Sequence, residues 1–277
     1  MNFPFYIARR YLFAKKSHNV INVISAISVA GIMLASFALI CTLSVFNGFH
    51  QLVESLFRDF DPEIKVVSAQ RKFFSLDDER IKKAQQLDFI DVSSFSLEEQ
   101  ALISYKSKQQ IAMIKGVDDS FHELTGIENL LRGNGIFMLE DNVCHYAIMG
   151  VGLMNRMDCG MKPAYPLHLY VPKKDGRVST VNPAASFNQA SIYSPGVVFC
   201  VEQEKYDDNY VLISLDLAQQ LTDRPNEASA LEITTVDGTS TRKAIRELQS
   251  LLGDDFEVLD RLHQQKDVFK VFKMEKF

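Results

Sequence analysis

The sequence lacks the short motifs that mark the common catalytic and nucleotide-binding sites. It has no G-x-x-x-x-G-K-[ST] segment, which excludes a phosphate-binding P-loop and an ATPase site of that type. It has no G-x-S-x-G segment, which excludes a nucleophile elbow. Gly150-Val151-Gly152 is a G-x-G pair without the third glycine of a dinucleotide-binding turn. We therefore predict that the chain is not an enzyme, with no catalytic residues and no cofactor.

Metal-ligand spacing is missing as well. The six histidines are scattered, without the i, i+4 pair that holds a metal ion on a helix: His18, His50, His122, His145, His168 and His263. Asp207 and Asp208 are adjacent, and adjacent residues of a strand face opposite ways, so we expect a solvated turn there rather than a carboxylate pair. The sequence thus predicts no metal site.

Cysteine is scarce, and no C-x-x-C pair occurs among the four. Cys41 lies in a long apolar run, whereas Cys144, Cys159 and Cys200 follow it. These three cysteines allow one disulfide with one thiol left over. Buried reduced cysteines, used as small apolar side chains, are an equally good alternative. The sequence alone leaves this choice open.

Charged residues are missing from one long stretch of the chain. No Asp, Glu, Lys or Arg occurs between Lys16 and Glu54. A bilayer core about 30 Å thick needs roughly 20 apolar residues in a helix, and residues 20–46 exceed that length. A signal peptide has an apolar region of only about 7–15 residues, and a soluble core helix rarely runs so far without charge. We predict a transmembrane helix at 20–46. Its small residues Ala30, Gly31 and Ala35 suit close packing against another membrane helix.

Charge is distributed unevenly about this helix. Residues 1–49 carry a charge of +4, so the remainder carries −9 to give the net charge of −5. Basic flanks stay in the cytoplasm, which predicts a cytoplasmic N-terminus and a main domain on the far side of the membrane. Residues 1–19 form either an interfacial helix on anionic membrane lipids or a simple basic flank. The acidic outer domain argues against nucleic acid as a partner.

Helical spacing continues beyond the apolar run. Leu52, Val53, Leu56 and Phe57 recur at helical intervals, so we expect the helix to leave the membrane as a stalk over 47–62. The stalk begins with Asn47, Gly48 and Phe49 and ends at Asp61-Pro62.

The rest of the chain predicts an α+β fold in which one sheet combines two separated pieces. For 63–125 we expect strands at 63–69, 89–95, 100–105 and 109–114, with a helix at 76–87 that Ser75 and Asp78 cap. For 202–262 we expect strands at 210–213, 230–235 and 256–259. Helices at 215–221 and 241–252 complete this piece, with Ser214 as an N-cap and Gly253 as a stop.

The intervening piece, 126–201, has more glycine, proline and short strands, which predicts a small β-rich subdomain. Within it, Pro172–Pro195 predicts a long exposed loop. At 263–277 aromatic and basic residues recur with helical spacing, and we expect a helix that leads to a second, truncated membrane span.

Several stretches, taken in order, resemble the FtsX-like permeases of ABC transporters, most closely the lipoprotein-releasing LolC/LolE type. The stretches are 8–12 (ARRYL), 27–32 (ISVAGI), 44–49 (SVFNGF), 114–118 (IKGVD), 148–150 (IMG), 204–207 (EKYD) and 272–276 (FKMEK). The resemblance covers essentially the whole chain.

This resemblance implies a MacB-like periplasmic core domain after the membrane helix, with an α+β Porter subdomain (63–125 and 202–262) and a β-rich Sabre subdomain (126–201). It implies a bacterial inner-membrane permease subunit that works with a second permease subunit and a separate cytoplasmic ATPase. Such a complex releases lipoproteins toward a periplasmic carrier. In this mechanism the stalk transmits the movement of the membrane helices to the outer domain.

The resemblance also implies a role for the exposed loop. In LolC-like members the loop after a Val-Pro pair grips the carrier, whereas the LolE-like region does not serve that role in the same way. The implied carrier-binding residues here are Val171, Pro172, Lys173, Lys174, Phe187 and Tyr193. A loop without a partner is the alternative. For the whole chain, the alternatives are an efflux or signalling permease and a single-pass periplasmic binding or scaffold protein.

Overall fold

The structure is a computed structural model that describes residues 3–12, 19–58, 60–141, 143–174, 186–261 and 263–264. It divides into two compact units, residues 1–54 and residues 55–277. Helix α1 (Phe3–Leu12) and most of helix α2 (Asn19–Arg58) belong to the first unit. Within α2, Val23–Gly48 is the one stretch of the described residues that is long and apolar enough to cross a membrane. The helix continues without a break to Arg58.

The second unit is a mixed α/β domain. Its elements are β1 (Ile64–Ser68), β2 (Phe74–Ser75), α3 (Glu79–Gln85), β3 (Ile90–Tyr105), β4 (Lys108–Val117), α4 (Phe121–Leu124), α5 (Ile127–Leu130), β5 (Leu131–Gly133), β6 (Ile148–Met149), α6 (Val151–Met157), β7 (Leu167–Pro172), β8 (Phe187–Ile192), β9 (Val197–Phe199), α7 (Glu204–Asp207), β10 (Tyr210–Ser214), α8 (Leu215–Leu221), β11 (Glu227–Ala228), β12 (Ala230–Thr235), α9 (Thr241–Leu252) and β13 (Phe256–Asp260).

A nine-stranded sheet joins both predicted pieces of chain. Seven strands follow the order β13-β1-β12-β3-β4-β10-β6, and β7 and β8 are added beside β3. All pairs are antiparallel except β4 with β10. Strands from before residue 126 are interleaved with strands from after residue 201, so the two pieces form one sheet as the pattern predicts. The long strand β3 extends the sheet into the 126–201 region through its pairing with β7.

Helices cover the sheet with their apolar sides. α3 and α9 pack on β1, β12 and β13, with Ile81 and Leu248 fully buried. α6 and α8 pack on β3, β4 and β10, with Leu153 and Leu217 buried. A third cluster joins Phe121 of α4 to Phe199 of β9 and to the β10 side of the sheet. The helical period of apolar residues in α9 is thus explained by its burial.

Several predicted elements are confirmed. β12 and α9 have the predicted bounds. α8 begins after Ser214, whose hydroxyl accepts a hydrogen bond from the Leu217 N–H at 3.4 Å. Gly253 follows α9 with a φ of +71°, a conformation that glycine adopts readily.

The predicted start of the first domain helix is wrong. α3 begins at Glu79 and its N-cap is Asp78, which accepts a hydrogen bond from the Arg80 N–H at 2.9 Å. Ser75 is extended instead, because β2 pairs with β11 and the Leu76 N–H donates to the Asn226 carbonyl. A long-range strand pair therefore overrides the local capping pattern.

Two further predictions need correction. The predicted strands at 89–95 and 100–105 are one strand, β3, because β4 and β12 pair along most of its length. The predicted loop Pro172–Pro195 contains a strand, β8, which pairs with β7 from Pro172↔Phe187 to Leu167↔Ile192. Residues 175–185 of that loop and most of the predicted helix at 263–277 lie outside the described residues.

Candidate functional site

One face of the sheet carries an unusual set of charges. Side chains alternate along a strand, so Lys65 of β1, Glu98 of β3 and Lys115 of β4 lie on the face opposite to the buried Val66, Leu97 and Ile114. The strand register places Lys65 beside Glu232 of β12, and Glu98 beside Lys115. Four neighbouring strands thus present two lysines and two glutamates to one place.

The ion pairs within this set are short and largely buried. The Lys115 ammonium lies 2.8 Å from the Glu232 carboxylate, and their side chains are 3% and 0% exposed. The Ser96 hydroxyl donates to the same carboxylate at 2.6 Å. Lys65 donates to Glu98 at 2.8 Å. Breaking such a buried pair costs far more than breaking a surface pair, so these residues fix the relation of the four strands.

The segment that follows α2 is tied to this set. Asp61 is buried, and the Tyr206 hydroxyl contacts its two carboxylate oxygens at 2.7 and 2.8 Å. The Lys205 ammonium donates to the Tyr206 hydroxyl at 2.8 Å and lies 4.3 Å from the ring centroid. Phe60 packs on Tyr206 with ring centroids 4.5 Å apart. The residues just after Arg58 are therefore held against α7.

The last described residues reach the same place. The Arg261 side chain donates to the Asp61 carbonyl at 3.2 Å, and the Gln264 amide donates to the Pro62 carbonyl at 3.2 Å. The chain thus enters and leaves the sheet through segments that are hydrogen-bonded to each other. We call the whole group the charge cluster; it consists of Asp61, Lys65, Glu98, Lys115, Lys205, Tyr206, Tyr210 and Glu232.

Burial and charge act against each other in the charge cluster. Burial raises the pKa of Asp61, although Lys205 and Tyr206 act in the opposite direction. Burial lowers the pKa of Lys205. Burial would also raise the pKa of Glu98, but Lys65 and Lys115 outweigh it and bring this pKa down to about 2. Glu98 is therefore held in its ionised form, whereas burial makes Asp61 harder to ionise than an exposed aspartate.

A cavity of about 370 Å³ adjoins the charge cluster. Phe60, Val67, Met113 and Leu259 supply apolar walls. Ile111 also lines it, with 68% of its surface exposed. No group of three or more His, Cys, Asp or Glu residues in the described part of the chain is arranged to hold a metal ion. Apolar walls and the buried charge cluster thus meet at this cavity.

The paired aspartates do not form the predicted solvated turn. Asp207 is the last residue of α7 and is buried, and it accepts a hydrogen bond from the Val201 N–H at 2.8 Å. Asp208 forms an ion pair with Arg156. Gly150 lies against the backbone of Asp207, where a Cβ atom would collide with it. Close packing against α7, rather than a nucleotide, accounts for this glycine.

The cysteines that follow the apolar run are free thiols. Cys159 is buried, in line with the alternative of reduced cysteines used as apolar side chains.

The predicted carrier-binding residues lie along β7, β8 and their ends. Val171 is buried, so its side chain is part of the core rather than of a contact surface. Pro172, Lys173 and Lys174 are exposed, and the Lys174 ammonium lies 3.9 Å from Glu227. Phe187 is half-buried, and Tyr193 is 44% exposed.

The predicted membrane-helix residues lie on α2. Ala30, Gly31, Ala35, Asn47 and Gly48 are exposed within the structure. Phe49 is helical, and its side chain lies outside the described set. A Cβ atom added at Gly31 meets nothing within 4 Å among the described residues, which leaves room there for a partner helix.

The charge cluster was not predicted from the sequence. Its members come from β1, β3, β4, β10, β12, α7 and the segment before β1, and local spacing cannot bring these together. A signal was present nonetheless. Lys115 interrupts the apolar run IAMIKGV, and Lys205 and Tyr206 belong to the EKYD stretch that carried the family resemblance.

The fold and the site together define a class of protein, in which an apolar helix of membrane-spanning length precedes a mixed α/β domain. Residues 25–251 match the family model of the MacB-like periplasmic core domain. Since the match covers most of the chain, the protein belongs to this family. The MacB-like fold expected from the resemblance is thereby confirmed.

Two known proteins illustrate the relationship. The lipoprotein-releasing system transmembrane protein LolE of Haemophilus influenzae is 24% identical over 251 residues, which cover 87% of this chain and 57% of that protein. The periplasmic region of MacB from Actinobacillus actinomycetemcomitans superposes with a TM-score of 0.52 and 10% identity, covering 82% of this chain and 99% of that structure. The chain thus spans just over half the length of its curated relative. It is a MacB/LolE-like domain of the ABC-transporter permease type.

Proposed function

We propose that this chain is part of a permease subunit that releases lipoproteins from the bacterial inner membrane toward a periplasmic carrier. The similarity to LolE over 87% of the chain supports the lipoprotein as cargo. In this proposal α2 spans the membrane with the N-terminus in the cytoplasm, and the sheet domain lies in the periplasm. The partners are a second permease subunit and a cytoplasmic ATPase subunit that hydrolyses ATP. The predicted division into Porter (63–125 and 202–262) and Sabre (126–201) subdomains belongs to the same proposal.

The mechanism that the geometry supports best is mechanotransmission. The observation that carries it is the buried contact of Asp61 with Tyr206, three residues after the end of α2. A continuous helix is stiff along its axis, and in this proposal the residues that follow α2 carry its movement to the sheet. Phe60 and Asp61 follow α2 and contact Tyr206 of α7. We infer that this contact passes a displacement of α2 on to the sheet.

The carrier-binding role of the β7–β8 end is a separate part of the proposal. Lys173 and Lys174 are exposed cations that follow Pro172, and Pro172 pairs with Phe187. Tyr193 adds exposed aromatic surface at the other end of β8. Aromatic side chains often dominate the binding energy of protein interfaces. We propose that the carrier contacts Pro172, Lys173, Lys174 and Phe187 and extends along β8 to Tyr193, with Val171 supporting this surface from the core.

The test uses the complete permease, its partner subunit and its ATPase in proteoliposomes, with a fluorescent triacylated lipoprotein and a soluble carrier. Tyr206→Phe removes the hydroxyl that binds Asp61. We expect ATP hydrolysis to continue while the amount of lipoprotein released per ATP falls. Tyr146→Phe is the matched control, because Tyr146 donates to the exposed Asp141 at 2.8 Å, away from the charge cluster.

The outcomes separate cargo from mechanism. If the unmutated complex hydrolyses ATP but releases no lipoprotein, the cargo is wrong, and an efflux or signalling permease takes its place. If release occurs and Tyr206→Phe matches Tyr146→Phe, the contact with Asp61 does not transmit the movement.

A further inference from the structure

Seven of the eight charge-cluster residues line the cavity, and apolar side chains line it with them. Val67, Met113 and Ile111 lie on the same sheet face as Lys65 and Lys115, two or four residues along their strands. Leu259 of β13 and the Phe60 ring complete the apolar walls. Such a cavity binds a ligand chiefly through the apolar surface that the ligand removes from water.

The polar groups that line the cavity already have partners. Glu98 is bound by Lys65 and Tyr210, and Lys115 is bound by Glu232. The amide of Asn209 donates to the carbonyls of Glu204 and Lys205. The cluster also balances its charges, with three lysines and three carboxyl groups. A charged ligand would have to displace these contacts, so the part of a ligand that enters the cavity is uncharged and apolar.

The size of the cavity further limits the kind of ligand that fits it. Its 370 Å³ is more than twice the roughly 150 Å³ of an engineered cavity that holds one benzene molecule. A single aromatic side chain from a partner protein would leave much of it empty. A flexible hydrocarbon chain fills an irregular space of this size. Pockets for small molecules begin at about 300 Å³.

We propose that this cavity takes up one acyl chain of a lipid or a lipid-modified molecule, which enters past Ile111. The site goes beyond the proposed transport function. An acyl chain has the same chemistry in a membrane phospholipid and in a lipid-modified cargo, so either molecule can supply it. An occupied cavity would place hydrocarbon against Phe60, next to the contact between Asp61 and Tyr206.

The chain contains no tryptophan, so one introduced tryptophan reports on the cavity mouth. Ile111→Trp is placed in the full chain, in lipid nanodiscs, because Ile111 is 68% exposed and accepts a larger side chain. One arm uses phospholipid brominated along its acyl chains. The other uses ordinary phospholipid and adds a triacylated lipopeptide with brominated chains. Bromine quenches tryptophan on contact, so each arm reports its own source of the acyl chain.

Two comparisons make the result specific. Val236→Trp is the reporter control, because Val236 is 44% exposed and does not line the cavity. Val67→Phe or Met113→Phe, added to Ile111→Trp, fills the cavity, and the variant that keeps the unfolding temperature of its parent is used. We expect a loss of emission for Ile111→Trp in at least one arm, beyond that of Val236→Trp, and its reversal on filling. Equal loss at both tryptophans, no loss in either arm, or a loss that filling leaves unchanged overturns the proposal.

Discussion

Among single residues, Lys115 is a charged side chain that the core holds in place. Its ammonium is buried 2.8 Å from Glu232 and lies 4.8 Å from the Phe121 ring centroid. Lys115→Met leaves the Glu232 charge buried without its partner, and we expect the free energy of unfolding to fall by about 3–5 kcal/mol. Denaturant unfolding of the chain in detergent measures the change.

Two variants check this explanation. Lys108→Met removes an exposed pair, 3.4 Å from Asp158, and we expect a change of only about 0–1 kcal/mol. The double variant Lys115→Met with Glu232→Leu removes both buried charges, so much of the lost stability should return. A single Lys115→Met variant as stable as the parent would contradict the role assigned to the pair.

Glu98 gives a prediction about pH. Its pKa falls from an ordinary value of 4.5 to about 2 in the folded chain, although burial opposes the shift. A lowered folded pKa stabilises the fold above the unfolded pKa, and this stabilisation is lost as the pH falls through the folded pKa. We expect Glu98→Gln to be less stable than the parent above pH 4.5, with the difference shrinking toward pH 2. Glu257→Gln, at an exposed position, is the control variant in the same denaturant titration.

At the scale of elements, the sequence pattern correctly predicted the helices that local contacts determine. The apolar period of 241–252 and the Ser214 cap gave α9 and α8 correctly, because each helix buries its own stripe. β2 and β8 were missed, because Phe74–Ser75 pairs with residues about 150 positions away and Phe187–Ile192 is a polar strand held by β7. The charge cluster was missed for the same reason, since the strand register brings Lys65 to Glu232.

The small residues of α2 lead to a prediction about assembly. Gly31→Leu places a large side chain where no atom of the described part of the chain lies within 4 Å of the added Cβ, so the chain should still fold. A partner helix that packs closely on Gly31 would be displaced, and we expect less partner permease and ATPase to copurify. Val29→Leu adds bulk about 160° around the helix and serves as the control. Equal copurification by both variants would count against packing at Ala30, Gly31 and Ala35.

The β7–β8 connection leads to a second prediction at this scale. Replacing residues 174–185 with a Gly-Ser linker of equal length keeps β8 and the hydrogen bond from the Lys173 N–H to the Ser186 carbonyl. We expect little change in thermal unfolding, because loop composition contributes little to the core. Transfer of lipoprotein to the soluble carrier should fall in the reconstituted complex.

A milder variant tests the charges alone. Lys173→Ala with Lys174→Ala should also reduce transfer, whereas Lys82→Ala with Lys83→Ala, another adjacent exposed pair on α3, should not. Intact transfer after replacement of the whole connection would show that this subunit does not grip the carrier.

For the whole molecule, the last prediction follows from the division of the chain into two units. The three apolar clusters, the nine-stranded sheet and the charge cluster all lie in the unit that begins at Ser55. The apolar stretch Val23–Gly48 lies in the other unit, and its side chains are exposed there. Exposed apolar surface of this extent requires lipid or detergent, whereas the sheet domain buries its own.

We therefore expect residues 50–265, produced alone, to be soluble without detergent and to unfold cooperatively in urea. The sheet closes within this segment, since β1 near its start pairs with β13 near its end. Gln264 is included because its amide binds the Pro62 carbonyl. Circular dichroism and size-exclusion chromatography measure fold and size, and residues 20–265, which retain the apolar stretch, should need detergent under the same conditions. An aggregated or non-cooperative 50–265 product would mean that the sheet domain needs residues before His50 for its stability. The domain boundary proposed here would then be wrong.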